Sequence, residues 1–304
     1  MSRASNSVRR ARPLLGTFVD ITVSGAAPRA MHAAIDAAFG AVGKVHGLMS
    51  FHDTNSDVGR LNRAGWMRPL AVHRWTFQVL EAAIDLNRRS AGVFDLAVAP
   101  SLRELGLLPH LPADRLATSP STATTEAIEL LPGGRVRFRH PGMRIDLGGI
   151  AKGFAVDRAI DILREHGVPA GLVNAGGDLA AFGPATEIVH IRDPLDPRRL
   201  ICGIEIRDQA LASSGNRFDP FRSASPAESA IIDPCTRQAV RGFSAATVRA
   251  PSCLIADALT KIVMVRGPSA ADLLDHYRAG ALVVSAAGDV EMTEDLQTAV
   301  CLAA

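Results

Sequence analysis

The chain has 304 residues, which is enough for one large domain or two ordinary domains around a substantial core. Its composition, 47% hydrophobic and 21% charged, excludes a disordered or fibrous protein. The 33 basic and 31 acidic residues leave a formal net charge of +2, which is too small to favour a surface that binds nucleic acid.

The sequence lacks the patterns of membrane, secreted and zinc-binding proteins. No apolar run reaches the ~18 residues of a spanning helix, so we expect no transmembrane segment. The four cysteines include no CxxC pair, which argues against a zinc cluster or a dense disulfide framework. Arg9 and Arg10 could suggest a twin-arginine signal, but no apolar segment with a cleavage site follows them. We therefore expect a cytoplasmic protein.

The N-terminal residues differ in character from the rest of the chain. Residues 1–12 are rich in arginine and are predicted to form a disordered basic arm, whereas residues 13–304 are predicted to form one large domain. Residues 18–25 alternate apolar and polar side chains as a strand does. Apolar residues at steps of three or four predict helices over 31–49, 76–89, 151–167, 255–265 and 271–278.

Short strands and hairpins are predicted between these helices. Turn residues indicate hairpins within 127–149 and 281–292, and the Pro-, Ser- and Thr-rich segment 109–125 is predicted to be a surface loop. Because helices and hairpins mix without strict βαβ alternation, we predict an α+β fold with largely antiparallel sheets. Further strands are predicted around Leu172 and over 188–191, 201–206 and 245–248.

The stretch RIDLGGIAKG, residues 144–153, combines a carboxylate, a glycine pair and a lysine at the start of the third helix. Asp146 is predicted at a strand end, Gly148 and Gly149 follow, and Lys152 lies in the first helical turn. Free N–H groups at a helix N-terminus favour phosphate, and glycine lets a ligand approach the main chain. The spacing is neither that of a P-loop nor that of a dinucleotide fingerprint. Alone, the stretch is compatible with a phosphate-bearing cofactor and with a tight turn beside a solvated lysine.

Further fragments narrow this choice. GVFDLAVAP contains Asp95, VNAGGD contains Asp178 after two glycines, and IADALTKIV contains Asp257. Each fragment alone is compatible with a purely structural role. Together, in this order and at these intervals, they resemble the FAD:protein FMN transferase (ApbE) family over nearly the whole chain. The most specific parts are D-x-GGIAKG-x-AVD and VNAGGD-x-x-x-x-G.

The resemblance implies an enzyme that splits FAD, transfers its FMN half to a Ser or Thr hydroxyl of an acceptor protein, and releases AMP. It also implies magnesium, held by the main-chain oxygen of Gly149 and by Asp257, since hard oxygen ligands suit this ion. Lys152, Asp257 and Lys261 are the expected catalytic residues, because attack on a diphosphate requires charge neutralisation. The residues expected to contact FAD are Leu15, His52, Val93, Phe94, Asp95, Asp146, Gly149, Lys152, Gly176, Gly177 and Asp178.

The chain departs from the family pattern at four positions. Leu15 stands in place of a methionine, and His52 in place of a tyrosine that is a larger surface for flavin stacking. Ala230 replaces a histidine, and Lys261 replaces the third metal ligand, a threonine.

Lys261 lies one helical turn after Asp257, so we expect it to pair with that carboxylate or to replace part of the metal's charge. Thr260 is the remaining candidate metal ligand, provided that the helix rotates. Magnesium dependence is therefore open. Two alternatives to transfer also remain: a non-catalytic protein that binds or delivers FAD, and hydrolysis of FAD to FMN and AMP.

Overall fold

One large antiparallel sheet organises the chain. The structure is a computed structural model and describes residues 7–109, 123–196, 198–215 and 229–301. Its helices are α1 (Pro28–Met49), α2 (Asp57–Ala64), α3 (Arg74–Arg89), α4 (Ala99–Glu104), α5 (Ala151–Glu165), α6 (Cys253–Arg266), α7 (Ala271–His276) and α8 (Glu294–Gln297). Its strands are β1 (Ser7–Leu14), β2 (Thr17–Ser24), β3 (Leu70–Ala71), β4 (Ile128–Leu131), β5 (Arg135–Phe138), β6 (Ala170–Ala175), β7 (Asp178–Phe182), β8 (Glu187–Arg192), β9 (Leu200–Ile206), β10 (Ala210–Gly215), β11 (Ile232–Asp233), β12 (Gln238–Ala239), β13 (Phe243–Ala250), β14 (Gly280–Ser285), β15 (Val290–Met292) and β16 (Val300–Cys301).

Eight strands form the large sheet, in the order β1-β2-β6-β7-β10-β13-β14-β15. Two three-stranded sheets, β16-β9-β8 and β3-β5-β4, and the ribbon β11-β12 complete the described strands. Every strand pair in the described residues is antiparallel. The predicted α+β class with antiparallel sheets is therefore confirmed.

The large sheet separates two hydrophobic cores. Side chains alternate between the faces of a strand. In β7, Ala180 and Phe182 therefore join the core that contains the apolar faces of α1, α5 and α6. Leu179 and Ala181 point to the other face and pack with Ile204 of β9. Helix α5 packs against both α1 and α6, and the Gly153 N–H in its first turn reaches Asp257 of α6.

The prediction of a disordered N-terminal arm is wrong for residues 7–12, the part of the arm that the structure describes. Residues 7–12 belong to β1, which pairs with β2 along its full length from Ser7 opposite Ser24. Arg9 contacts Asp20 at 2.8 Å, and other arginines of β1 contact Asp36 of α1. The arginines are thus held by carboxylates on neighbouring elements. Residues 1–6 lie outside the described residues.

The predicted strand before Gly148 is also wrong, although the hairpin of β4 and β5 is confirmed. Residues 143–147 are mostly buried but have no regular secondary structure, and they pair with no strand of the described residues. The side-chain amide of Asn62 instead donates to the Ile145 carbonyl at 2.9 Å and accepts from its N–H at 2.8 Å. The Asp146 N–H donates to the Leu96 carbonyl at 2.9 Å. The backbone is therefore satisfied by a side chain and a loop.

The predicted helices are confirmed to within about three residues at each end. Residues 110–122, most of the predicted surface loop, lie outside the described residues.

Across the described ranges, the structure contains no helix that is both long enough and apolar enough to cross a bilayer.

Candidate functional site

Close contact between α5 and α6 builds the candidate site. The N–H of Gly153 donates to Oδ2 of Asp257 at 3.0 Å, which fixes the first turn of α5 against α6. A Cβ atom added to Gly153 would lie 2.8 Å from Cβ of Asp257 and closer still to the carbonyl oxygen of Cys253. Glycine at this position is therefore a condition for the helices to meet.

Asp157 holds the other side of this contact. Its two carboxylate oxygens accept from the N–H groups of Cys253 and Leu254 at 2.8 and 2.9 Å and so cap the N-terminus of α6. Burial raises the pKa of Asp157 to about 6, against these hydrogen bonds. The sequence predicts no role for Asp157, although this residue ends the motif GGIAKG-x-AVD, because its partners lie on a helix 96 residues further along the chain.

Two lysines and two aspartates meet where α5, α6 and β7 converge; we call Lys152, Asp178, Asp257 and Lys261 the charged cluster. The Lys152 ammonium contacts Oδ2 of Asp178, and the Lys261 ammonium contacts Oδ1 of Asp257. Both aspartate side chains are fully buried, whereas those of Lys152 and Lys261 are 30% and 19% exposed. The lysines therefore form the accessible side of the cluster.

The pKa values of the two aspartates in the charged cluster shift in opposite directions. Burial raises the pKa of Asp178 to about 6, with help from the negative charge of Asp257 and against Lys152 and Lys261. Burial also acts to raise the pKa of Asp257, but Lys152 and Lys261 outweigh it and the net shift is downward. The Lys152 pKa is raised, because Asp257 and Asp178 outweigh the loss of hydration. Oδ1 of Asp178 is buried and has no hydrogen-bond partner among the described residues.

The three residues predicted as metal ligands surround the side chain of Lys261. Its ammonium contacts Asp257 and lies 3.1 Å from Oγ1 of Thr260. A Cβ atom added to Gly149 would lie 3.5 Å from Cε of Lys261, so the lysine stem runs beside that glycine. The cation at this position in the structure is thus an ammonium.

These residues do not fit a magnesium ion. Both oxygens of Asp257 are engaged, by Lys261 and by the Gly153 N–H. The Thr260 hydroxyl donates to the Asp257 carbonyl at 2.7 Å and lies 2.7 Å from Oγ of Ser214. The Thr260 hydroxyl is thus already engaged by neighbouring oxygens, and its role as a metal ligand stays a prediction. Within the described ranges, no group of three or more His, Cys, Asp or Glu side chains is arranged to hold a metal.

The loop with Val93, Phe94 and Asp95 lies beside the turn that precedes α5. Oδ1 of Asp95 accepts from the N–H of Ala97 at 2.8 Å and from the N–H and hydroxyl of Thr125 at 3.0 and 2.8 Å. Burial raises the Asp95 pKa. The next residue, Leu96, accepts from the Asp146 N–H, so the loop is tied to Asp146.

Asp146 links this loop to His52. Burial raises the pKa of Asp146, against the Gly148 N–H that its carboxylate accepts at 3.0 Å and against the charge of the nearby His52. His52 is exposed, and its ring lies edge-on to that of Phe51. The structure thus brings His52, Asp146 and the Asp95 loop together at one side of the GGIAKG turn.

Gly176 and Gly177 form the turn that leads into Asp178. Both have positive φ, +67° and +100°, and a Cβ atom on Gly176 would meet Oγ1 of Thr17 at 2.5 Å. Leu15, two residues before Thr17, donates its N–H to Nδ1 of His46 at 2.9 Å. Leu15 therefore lies two residues from the side chain that packs against the glycine turn. Ala230, the position of the family histidine, is exposed next to the buried Ser229.

The fold and the site define an α+β protein with a charge-balanced internal cluster beside two tight glycine turns, an arrangement that suits a phosphate-bearing ligand. A model of the ApbE family matches residues 15–283, and the chain belongs to this family.

Named relatives and solved structures agree with the assignment. The FAD:protein FMN transferase of Vibrio cholerae is 30% identical over 235 residues, 74% of this chain and 70% of that protein. The FAD:protein FMN transferase of Treponema pallidum is 28% identical over 292 residues, 85% of this chain and 78% of that protein. The crystal structure of an ApbE protein from Thermotoga maritima superposes with a TM-score of 0.83 at 26% identity, covering 97% of this chain and 99% of that one. The flavin transferase ApbE from Vibrio cholerae gives a TM-score of 0.80 at 25% identity, with the same coverage.

Proposed function

We propose that this chain transfers FMN from FAD to a Ser or Thr hydroxyl of an acceptor protein and releases AMP. The observation that carries the proposal is the convergence of Lys152 and Lys261 on one buried cluster at the start of α5. It is supported by relatives named FAD:protein FMN transferase. A cytoplasmic location stays a prediction.

The proposed reaction replaces one bond of the diphosphate with a phosphoester. The acceptor's hydroxyl oxygen bonds to the phosphorus of the FMN half, and the bond from that phosphorus to the bridging oxygen breaks. The bridging oxygen leaves with the electron pair as part of AMP, and the hydroxyl proton is released. Negative charge grows on the bridging and equatorial oxygens, where cations fixed in a site with little water stabilise it most. Lys152 and Lys261 supply those cations.

The flavin half lies, in this proposal, toward the loop of Val93, Phe94 and Asp95. Asp95 keeps that loop in place through Thr125, while Asp146 faces the ligand. An aspartate with a raised pKa accepts a hydrogen bond when ionised and donates one when protonated, so Asp146 suits the polar edge of a flavin or a ribose. His52 offers an exposed ring for stacking.

A non-catalytic FAD-binding protein is the second candidate. Ala230 motivates it, because this exposed residue brings no imidazole where the family has a histidine. Hydrolysis of FAD with water as the acceptor would use the same cluster.

Incubation with FAD and an acceptor domain that the Vibrio cholerae relative flavinylates tests the proposal. We expect flavin fluorescence on the acceptor in a denaturing gel, together with one AMP per labelled chain. Lys152→Met should lower the rate by about a hundredfold, as loss of a transition-state donor does elsewhere. Lys44→Met, on the exposed surface of α1, is the matched control and should not.

The other products identify the alternatives. AMP and free FMN without a labelled acceptor would indicate hydrolysis, and FAD uptake without either product would indicate a binding protein. If FAD neither binds nor reacts, the proposal is rejected.

A further inference from the structure

The position of the Lys261 side chain beside Gly149, Asp257 and Thr260 has a chemical consequence. The ammonium contacts the Asp257 carboxylate and the Thr260 hydroxyl, which are the oxygen donors that a cation at this position would need. The lysine stem fills the space beside Gly149. A covalently attached cation is therefore already bound by two of the three predicted metal ligands, Asp257 and Thr260.

We propose that Lys261 replaces the divalent cation of this site, so that the protein binds and cleaves the diphosphate of FAD without magnesium; the inference rests on the proposed function. The ammonium is the catalytic cation at the bond that breaks, and Lys152 is its partner on the other side of the cluster.

The charge balance of the cluster supports this inference. With Lys152 and Lys261 protonated and Asp178 and Asp257 ionised, the four side chains sum to zero. A neutral residue at position 261 would leave the sum at −1, which attracts a dication. With Lys261 present, a dication would have to enter a buried site next to a positive charge that is already paired with the same carboxylate. The charge of Lys261 therefore disfavours the divalent cation that the other three side chains would attract.

The hydrogen bonds of Lys261 leave room for a phosphate. An ammonium has three N–H donors, and two described acceptors, Asp257 and Thr260, contact this one. The third donor is available to a diphosphate oxygen. The Lys261 side chain is 19% exposed, so part of it faces solvent at the edge of the cluster.

Binding measurements with and without divalent metal test the inference. FAD affinity, followed by quenching of flavin fluorescence, should change less than about twofold for the wild type between excess EDTA and millimolar magnesium. Lys261→Thr should bind FAD about tenfold more weakly in EDTA and recover with magnesium. Lys261→Met should lose the same affinity and not recover, since it supplies neither a charge nor a ligand.

A second readout needs no FAD. Manganese, followed by its electron paramagnetic resonance signal, should remain free with the wild type and bind one per chain with Lys261→Thr. Lys44→Thr is the matched control for the substitution itself, and circular dichroism checks that each variant is folded. Stoichiometric manganese binding by the wild type, or loss of its FAD affinity in EDTA, would overturn the inference.

The two proposals fail in different ways. If the wild type takes up no FAD under either condition, the proposed function is rejected, while the manganese measurement still decides whether Lys261 excludes a divalent ion. If FAD binds only with magnesium, transfer survives and the role of Lys261 does not.

Discussion

Asp178 is the least satisfied residue of the charged cluster. Its side chain is fully buried, Oδ2 pairs with Lys152, and Oδ1 has no hydrogen-bond partner among the described residues. A buried carboxylate oxygen without a partner costs free energy when it is ionised. The fold therefore holds Asp178 in a state that a ligand with a suitable donor would stabilise.

Asp178→Asn should change how stability depends on pH. The folded pKa of about 6 lies above the unfolded value near 3.8, so the folded state holds the proton more tightly. The penalty for ionising Asp178 is absent below about pH 4 and complete above about pH 6 to 7. The free energy of unfolding of the variant relative to the wild type should thus rise by about 3 kcal/mol across that range.

Urea denaturation of both proteins at several pH values measures this difference. Asp157, which also titrates near pH 6, is present in both and cancels from the comparison. Parallel stability curves would show that Asp178 titrates normally.

The ion pairs of the site could be predicted from residue spacing only where the two partners are close in the chain. Asp257 and Lys261 are one helical turn apart, and their pairing was among the expectations. The ion pair of Lys152 with Asp178 was not, because it depends on how β7 packs against α5. Thr260 reaches the Lys261 ammonium without any helix rotation, because its hydroxyl bonds back to the Asp257 carbonyl.

Helices α5 and α6 act as one unit at the level of secondary structure. Gly153 permits their close approach, and the Asp157 carboxylate receives the first N–H groups of α6. Lys152 and Asp257 sit on opposite members of this pair. The distance between Lys152 and Asp257 is therefore set by the contact between the two helices, and β7 adds Asp178 to the cluster.

Asp157→Ala should destabilise the protein by about 1–2 kcal/mol, because two N–H groups of α6 lose their acceptor. It should also weaken FAD binding, since α6 carries Asp257. The stability of Asp157→Asn should lie between that of Asp157→Ala and that of the wild type, because asparagine keeps one acceptor oxygen.

Asp161→Ala is the matched control for the Asp157 series. Asp161 lies one turn later on α5 and pairs with Arg158 at the surface, so its loss should change stability by less than about 1 kcal/mol. Equal denaturation midpoints for Asp157→Ala and Asp161→Ala would show that the cap contributes nothing.

Secondary-structure elements, like ion pairs, could be predicted where the signal lies in the local sequence and not where it depends on distant partners. Helices with one apolar face could be located from spacing alone, as α1 and α6 show. Strand β1 could not, because its pairing with β2 and its contacts to Asp36 are not visible in an arginine-rich segment. At residues 143–147 the error is the opposite one: a strand is predicted and is absent. The backbone there bonds to the Asn62 side chain and not to another strand.

At the scale of the whole molecule, the large sheet separates the charged cluster from the second hydrophobic core. The helical face contains the charged cluster, while the core around Ile204 lies on the opposite face beneath β8, β9 and β16. Stability and ligand binding should therefore respond independently to substitutions in the two layers.

Ile204→Ala should lower the free energy of unfolding by about 2–5 kcal/mol, because Ile204 is fully buried and its removal leaves a cavity. FAD affinity at a temperature where the variant is folded should stay at the wild-type value. Ile188→Ala, on the exposed side of neighbouring β8, should change stability by less than about 0.5 kcal/mol. A large loss of FAD affinity in Ile204→Ala would show that the two layers are coupled.

The burial of Cys253 gives the molecule an internal chemical probe. This thiol is in the first turn of α6, is fully buried, and has its pKa raised well above the ordinary value by burial. Alkylating reagents attack the thiolate, so Cys253 is protected while α6 stays docked on α5, whereas the exposed Cys235 reacts freely. Mass spectrometry of the two sites in one sample would report how often the paired helices separate, with Cys235 as the internal standard.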